Sequence, residues 1–276
     1  MSKKTNYSAK NIEVLEGLEP VRKRPGMYIG STNEQGLHHL VNEVLDNSID
    51  EVVAGHASEV SFHYKKDGSI KIRDNGRGIP IDFHPKFPKR TALEVIFCTL
   101  HAGGKFSDKN YSTSGGLHGV GISVVNALSE SLMVEVVKNR VCYSQRFSQG
   151  IPIGKLKKVG EKKFKSGTKI TFSPDKNIFS SANFFDPEKV YELAKSKAYL
   201  FSGVTIDWKA PNIKNHQLNK IPTAERFHFE EGLMDLVKSN IAVEYNITND
   251  YFAGEANFKE KFDPKEKGSI KWCACF

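Results

Sequence analysis

The residue best suited to chemistry is Asp74, an acid followed closely by Gly76 and Gly78. If its segment is a strand, its side chain shares a face with Ile70 and Ile72, which marks that face as buried. A buried carboxylate needs a hydrogen-bond donor, because an unpaired buried charge is costly. The exocyclic amine of adenine would supply one. Guanine presents a carbonyl at that position, and the unpaired carboxylate would weaken its binding free energy by about 1–3 kcal/mol or more. The alternative is an acid that caps backbone amides of its own turn.

A second pair of polar residues, Glu43 and Asn47, is spaced one helical turn apart, and Asp50 follows three residues later. A carboxylate beside a carboxamide suits a general base next to a ligand of Mg²⁺, because magnesium prefers oxygen donors. The alternative is the solvated polar face that any amphipathic helix carries.

A glycine-rich loop over residues 103–121 leads into an apolar segment with helical character. Glycine-rich backbone before a helix offers free amides to a phosphate, although an ordinary surface loop has the same composition. The spacing excludes two nucleotide-binding motifs. Lys105 is followed by Phe106 rather than the Ser or Thr of a P-loop, and residues 116–121 reverse the Rossmann glycine pattern. Further along the chain, Thr168 begins a predicted strand. Its hydroxyl either joins Asp74 in binding a base, or Thr168 is an ordinary strand residue.

The elements that must position these residues follow from apolar periodicity. The sequence predicts helices over 37–54, 91–101, 121–129 and from Asp186-Pro187 to about 200, a hairpin over 58–74 that turns at Asp67-Gly68, and strands near 132–138, 141–147, 167–173 and 204–208. It also predicts a turn within residues 22–28. The basic run 155–169 is predicted to be a solvated hairpin, and a contact with DNA is the alternative.

Composition limits the class of protein. The 276 residues are 39% hydrophobic and 26% charged, which is ordinary for a globular chain and excludes collagen-like and wholly disordered proteins. No apolar run approaches the roughly eighteen residues of a membrane-spanning helix, and the polar start is unlike a secretory signal. Four cysteines without zinc-type spacing favour a reducing cytoplasm. The net charge of +8 mildly favours polyanion partners.

Taken in chain order, the motifs resemble those of the GHKL ATPases. They are Glu43-x-x-x-Asn47, Asp74-x-Gly76-x-Gly78, Gly116-x-x-Gly119-x-Gly121 and Gly167-Thr168. Two longer strings, residues 21–30 and 100–121, are similar to the ATPase subunits of bacterial type II DNA topoisomerases, and the resemblance extends over essentially the whole chain. Residues 107–111 and 172–175 resemble the topoisomerase IV branch more than the gyrase branch, which remains the alternative; a chaperone-like ATP-gated clamp is more remote.

The resemblance implies a two-layer α/β sandwich, the GHKL or Bergerat fold, with a mixed sheet and helices on one face. It further implies an N-terminal dimerisation arm over 1–16, an ATP-binding domain over 17–218 and the truncated beginning of a transducer domain over 219–276. In this family the second domain supplies a lysine to the γ-phosphate. Residues 219–276 resemble only the beginning of that domain, which does not include the lysine. We therefore expect the chain to bind ATP but to hydrolyse it poorly.

The resemblance also implies roles for single residues. Glu43 would activate the attacking water, Asn47 would ligate Mg²⁺, and Asp74 would bind the adenine amine with support from Thr168. The other implied nucleotide contacts are Tyr7, Gly78, Lys105, Tyr111, Gly116, Leu117, His118, Gly119, Val120, Gly121 and Ile122, and the implied rim of an aminocoumarin pocket is Glu51, Arg77 and Pro80. Tyr7 would lie on the arm that crosses to the second copy of the chain.

The implied activity is that of an ATP-hydrolysing type II topoisomerase subunit in the bacterial cytoplasm. ATP and Mg²⁺ are the implied cofactors. DNA, the DNA-cleaving A-type subunit and a second copy of the chain are the implied partners, and no membrane is expected.

Overall fold

The computed structural model describes residues 8–104, 119–179, 185–212, 221–241, 251–259 and 267–275. Numbered in chain order, and after a 3₁₀ turn at Ala9–Asn11, the helices are α1 (Glu19–Lys23), α2 (Gly26–Ile29), α3 (Glu34–Val53), α4 (Ala92–Cys98), α5 (Gly121–Ala127), α6 (Pro187–Leu200) and α7 (Leu233–Asn240). The strands are β1 (Glu59–Tyr64), β2 (Ile70–Asp74), β3 (Phe83–His84), β4 (Phe87–Thr91), β5 (Ser129–Lys138), β6 (Val141–Ser148), β7 (Ile151–Glu161), β8 (Gly167–Pro174), β9 (Thr205–Lys209), β10 (Ala224–His228), β11 (Phe252–Lys259) and β12 (Lys267–Ala274).

Eight strands form one mixed sheet in the order β10-β9-β1-β2-β8-β5-β6-β7. Neighbours are antiparallel except β1 and β9, which run parallel. The pairs β3–β4 and β11–β12 are separate two-stranded ladders. This is the mixed α/β sheet that the resemblance implies, with helices packed on one face.

Helix α3 is the central element of the helical layer. It begins three residues before the predicted start because the Asn33 side chain accepts hydrogen bonds from the backbone amides of Gln35 (2.9 Å) and Gly36 (3.5 Å). Such a cap satisfies amides that the first turn leaves without partners. Its apolar stripe is buried from Leu37 to Ile49, as the helical period predicts.

The β1–β2 hairpin places the site residues. As predicted it turns at Asp67-Gly68, where the Asp67 carboxylate accepts from the Ser69 amide at 3.0 Å and Gly68 adopts φ +78°. Side chains alternate along β2, so Ile70, Ile72 and Asp74 are buried against the helices. The intervening Lys71 and Arg73 lie on the face without helices.

The core lies between the sheet and the helices. Phe62 of β1 is fully buried and stacks on Trp208 of β9 with ring centroids 5.4 Å apart. Tyr191 of α6 meets Trp208 edge-on at 5.4 Å. At the other end of the helical layer, Arg22 donates to the Ala127 carbonyl at 2.6 Å.

Two sequence predictions differ from the structure. The predicted turn is present at Pro25, where the Met27 amide donates to the Arg24 carbonyl at 3.1 Å, but the rest of residues 22–28 falls mostly in the short helices α1 and α2. The run 155–169 is not a hairpin. Its first part is the exposed edge strand β7, which pairs with β6, whereas its end belongs to the interior strand β8.

The sheet also extends past residue 218, because β10 pairs with β9. The division of the chain at 218/219 stays a prediction. Among the described residues, no helix combines the length and the apolar character needed to cross a membrane.

The first test concerns the core. Phe62→Ala should lower the free energy of unfolding by about 3–5 kcal/mol, because it removes buried apolar surface and leaves a cavity beside Trp208. Urea denaturation measures the change. Ile151→Ala, at a strand position that is 68% exposed, is the matched control and should stay within about 0.5 kcal/mol of the parent. Equal losses in both variants would contradict this description of the core.

Candidate functional site

A cavity of about 320 Å³ opens between α3, the start of α5 and strands β2 and β8. Its lining comprises Glu43, Val44, Asn47, Ser48, Glu51, Ile72, Asp74, Arg77, Gly78, Ile79, Pro80, Ile96, Ala102, Gly103, Gly104, Gly119, Gly121, Ile122, Lys138, Thr168 and Ile170. The size is that of a pocket for a small organic ligand, with an apolar body and a few polar groups.

Asp74 lies in the wall of this cavity and is 5% exposed. Its Oδ1 accepts hydrogen bonds from the backbone amides of Gly76 (2.9 Å) and Thr168 (3.2 Å), and its Oδ2 accepts from the Ser48 hydroxyl at 3.3 Å. The Thr168 hydroxyl in turn accepts from the Ile79 amide at 3.2 Å. The turn-capping alternative from the sequence is therefore present, but it engages one oxygen. The second oxygen accepts its bond from Ser48, which also lines the cavity.

Burial raises the pKa of Asp74 to about 6, against the amide hydrogen bonds of Gly76 and Thr168, which lower it. The nearby charge of Glu51 raises the pKa further. The ionised carboxylate is thus destabilised by its surroundings, and a donor arriving from the cavity would relieve it.

The α3 wall of the cavity carries Glu43 and Asn47. The Asn47 amide nitrogen donates to the Glu43 backbone carbonyl at 2.8 Å, so the atom it can present to a cation is its oxygen. One turn earlier, His39 Nε2 lies 3.2 Å from Glu43 Oε1 and holds the carboxylate from the side. The hydrogen bond to Glu43 is the main cause of a raised pKa at His39, outweighing the burial that lowers it.

This wall of the cavity fits a magnesium ion that takes most of its ligands from a bound substrate and from water. Asn47 offers a carboxamide oxygen, a ligand that Mg²⁺ accepts, and the Glu43 carboxylate lies beside it on the same wall. Within the described ranges, no group of three or more His, Cys, Asp or Glu could hold a metal. The arrangement therefore suits an ion bound mainly through phosphates and water rather than one caged by protein.

Three glycines give the site its room. A Cβ at Gly121 would lie 1.7 Å from Glu43 Oε2, and one at Gly167 would lie 2.3 Å from the Asp74 carbonyl oxygen. Gly78 adopts φ +74° and leaves 3.1 Å between such a Cβ and Val136. The carboxylate of Glu43 can occupy its position only because residue 121 has no side chain.

The rim of the cavity is held by ionic contacts. Glu51 accepts from the Arg77 guanidinium at 2.7 Å and from the Arg77 amide at 2.9 Å, so these two predicted rim residues are paired. Lys138 donates to the carbonyls of Arg77 (2.8 Å) and Gly78 (2.6 Å). Burial is the main cause of a lowered pKa at Lys138.

The structure brings most of the predicted site residues together. Those that line the cavity are Glu43, Asn47, Glu51, Asp74, Arg77, Gly78, Pro80, Gly119, Gly121, Ile122 and Thr168. Val120 is not in the lining and packs against the core instead. Asp50 is buried and also outside the lining. Tyr7, Lys105, Tyr111, Gly116, Leu117 and His118 lie outside the described residues.

Sequence reasoning missed three residues that shape the site, namely His39, Ser48 and Lys138. The spacing of His39 four residues before Glu43 is a signal that could have identified it. Ser48 and Lys138 act through contacts between elements distant in sequence, which no local pattern contains.

The site yields a test of the buried charge. An asparagine at position 74 is a neutral isostere of the aspartate. Its side-chain oxygen would accept from the amides of Gly76 and Thr168, and its nitrogen would donate to the Ser48 hydroxyl. Because the folded pKa of about 6 exceeds the ordinary 3.8, ionisation of Asp74 destabilises the fold above about pH 6 and not below about pH 4. Asp74→Asn should therefore be more stable than the parent at pH 7.5, by up to about 3 kcal/mol.

That gap should close as the pH falls from about 7 to about 4, which urea denaturation across this range measures. Asp207→Asn, which removes the half-buried partner of the exposed Arg226, is the control and should change stability by less than about 1 kcal/mol at every pH. A less stable Asp74→Asn variant at pH 7.5 would refute the account of the buried carboxylate.

Comparison with known proteins supplies independent evidence. The family of histidine kinase-, DNA gyrase B- and HSP90-like ATPases matches residues 32–178. The chain is 51% identical to the B subunit of DNA topoisomerase 4 from Rickettsia felis over 271 residues, covering 98% of this chain and 40% of the relative. It is 44% identical to the B subunit of DNA gyrase from Synechocystis over 274 residues, covering 98% of this chain and 24% of the relative.

A solved structure shares the fold. The 43K ATPase domain of Thermus thermophilus gyrase B, crystallised with an aminocoumarin, superposes with a TM-score of 0.72 at 37% identity. The match covers 87% of this chain and 58% of that one. The chain spans about 40% of the length of the topoisomerase relatives it matches. The cavity, its buried acid and its glycines all fall within the matched segment, and the chain belongs to the family of histidine kinase-, DNA gyrase B- and HSP90-like ATPases.

Proposed function

We propose that the cavity binds ATP with Mg²⁺, and that the chain is the ATPase region of the B subunit of a topoisomerase IV. The observation that carries the nucleotide proposal is the buried Asp74 carboxylate, with a raised pKa, facing the same cavity as Glu43 and Asn47. Family membership implies ATP binding. We infer from the geometry where the adenine and the phosphates lie, and that a magnesium ion accompanies them.

The adenine end is assigned to Asp74. Its Oδ2, which the Ser48 hydroxyl of the cavity lining contacts at 3.3 Å, would accept the exocyclic amine, while Ile72 and Ile170 would supply an apolar surface for the ring. Guanine would place a carbonyl oxygen against the carboxylate and lose that bond, so the pocket should select adenine.

The phosphate end is assigned to the wall of Glu43, Asn47, Gly119 and Gly121. Glycine backbone lets phosphate oxygens approach the amides closely. A magnesium ion held by Asn47 would supply charge neutralisation on those oxygens. Glu43, oriented by His39, would accept the proton of the attacking water as general base.

The activity of the whole protein is proposed from the relatives. Topoisomerase 4 B subunits match over nearly the whole chain at about 50% identity, above the 44% of the gyrase relative. We infer that ATP binding closes a dimer gate, formed through the N-terminal arm, around one DNA segment. An A-type subunit in the same cytoplasmic complex would cleave the DNA through which that segment passes. Decatenation of linked circles by the full-length protein with its A-type partner tests this, and negative supercoiling would assign it to gyrase instead.

Nucleotide binding is tested by calorimetry with a non-hydrolysable ATP analogue and Mg²⁺. The chain should bind this analogue and prefer it at least about tenfold over the GTP analogue, which is worth about 1.4 kcal/mol. Asp74→Asn should lose at least as much affinity, because its amide presents a donor to the amine. Asp207→Asn, on the helix-free face, should bind like the parent. Equal affinity for both analogues would contradict the adenine assignment.

Hydrolysis is tested in single-turnover reactions with the chain in excess over ATP. Glu43→Ala should slow the reaction by about 10²–10⁴-fold while binding of the analogue changes little, because only proton transfer is lost. Asp46→Asn is the matched control, since Asp46 lies on the same helix but pairs with Lys197 away from the cavity. Unchanged hydrolysis in Glu43→Ala would remove the general-base role.

A further inference from the structure

The face of the sheet opposite the ATP cavity is basic. Lys71 and Arg73 project there because they alternate with the buried isoleucines of β2. A depression of about 250 Å³ on this face is lined by Lys71, Arg73, Lys162 and Lys169, with Phe164 at its side.

A second, shallower depression adjoins the first at His63 and is lined by Lys65, Lys66 and Lys209 among others. The two depressions together form a continuous surface, here named the basic groove, whose cations are Lys65, Lys66, Lys71, Arg73, Lys162, Lys169 and Lys209. It crosses the adjacent strands β9, β1, β2 and β8. At about 4.8 Å between strands, this is a width of about 14 Å.

The acids of the groove are already engaged. Glu135 pairs with Lys169, and Asp67 pairs with Lys65. Within the described residues, no ion pair engages Lys71 or Arg73. The groove therefore keeps a net positive charge after its internal pairs are counted.

The pairing of the strands concentrates this charge. Arg73 lies directly opposite Lys169, and Lys71 lies opposite His63, which in turn lies opposite Lys209. Like charges directly opposite on neighbouring strands are destabilising. Burial, followed by the charges of Lys169 and Lys65, lowers the pKa of Lys71. Burial and the charges of Lys71 and Lys209 lower the pKa of His63 to about 4, against the charge of Asp207, which raises it. His63 is therefore neutral at pH 7.

Arg73 adds a donor without an acceptor. Its guanidinium stacks on the Phe164 ring, 3.8 Å from the centroid, which fixes the plane of the side chain. Its Nε is buried and, among the described residues, has no hydrogen-bond partner. A buried donor of this kind costs free energy unless a ligand satisfies it.

We propose that the basic groove binds the phosphodiester backbone of a nucleic acid. An array of cations across four strands matches consecutive phosphates better than a single small anion, which one cluster would satisfy. The inference goes beyond the proposed function, which involves DNA in the whole assembly but assigns no surface of this chain to it. It does not depend on the ATP cavity, because none of the cations of the groove lines that cavity.

The test compares two triple variants with the same loss of charge. Lys71→Gln, Lys162→Gln and Lys209→Gln together neutralise the groove. Lys155→Gln, Lys157→Gln and Lys158→Gln together neutralise the exposed edge strand β7. Binding of a fluorescent duplex of about 20 base pairs is measured by anisotropy between about 50 and 200 mM salt, and ATP-analogue binding is measured in parallel.

The groove variant should bind the duplex at least about tenfold more weakly at about 100 mM salt. The slope of log affinity against log salt concentration should become shallower by about two to three units, because three cations are removed. The β7 variant should change by less than about threefold. Equal losses in both variants, or no loss in the groove variant, would overturn the proposal. Competition by poly-glutamate as strong as by unlabelled duplex at equal charge would assign the groove to acidic polypeptides and overturn it as well.

ATP-analogue binding should be unchanged in both triple variants. Failure of the parent chain to bind the analogue would remove the proposed ATP site while leaving the groove result to stand on its own.

Discussion

The hydrogen bonds around the Asp74 carboxylate join the parts of the site. One oxygen holds the start of β8 through Thr168 and the tight turn at Gly76, and the other meets Ser48 on α3. Helix, strand and turn are thus fixed to one buried charge at the cavity wall. This charge is costly to the fold, as its raised pKa indicates, and such a cost is typical of groups kept for binding rather than for folding.

The alternation of side chains along β2 explains why one strand serves two surfaces. Odd-numbered and even-numbered positions face opposite sides, so the strand gives an acid to the covered side and two cations to the open side. On the covered side, Asp74 is 5% exposed, and burial raises its pKa to about 6. On the open side, Lys71 and Arg73 are half-buried in the basic groove.

Much of this was predictable from local patterns. The helix bearing Glu43, the hairpin that ends at Asp74 and the glycines that precede α5 all follow from period, turn residues and spacing. The short helices α1 and α2 were missed because they have too few residues for a periodic signal. The pairing of β7 with β6, and the contacts of Lys138 with Gly78, depend on the sheet as a whole. No single segment carries that information, since the sheet order brings these residues together only after folding.

The clearance between Glu43 and Gly121 restricts how this chain can evolve. Any side chain at position 121 would collide with the carboxylate, although the two residues lie on different helices. The cost of a substitution at either position therefore depends on the residue at the other. A mutational path that enlarges residue 121 must first shorten or displace the acid, and it passes through an intermediate without the acid in place. The two positions are epistatic. A larger residue at position 121 should be tolerated only where residue 43 has already changed.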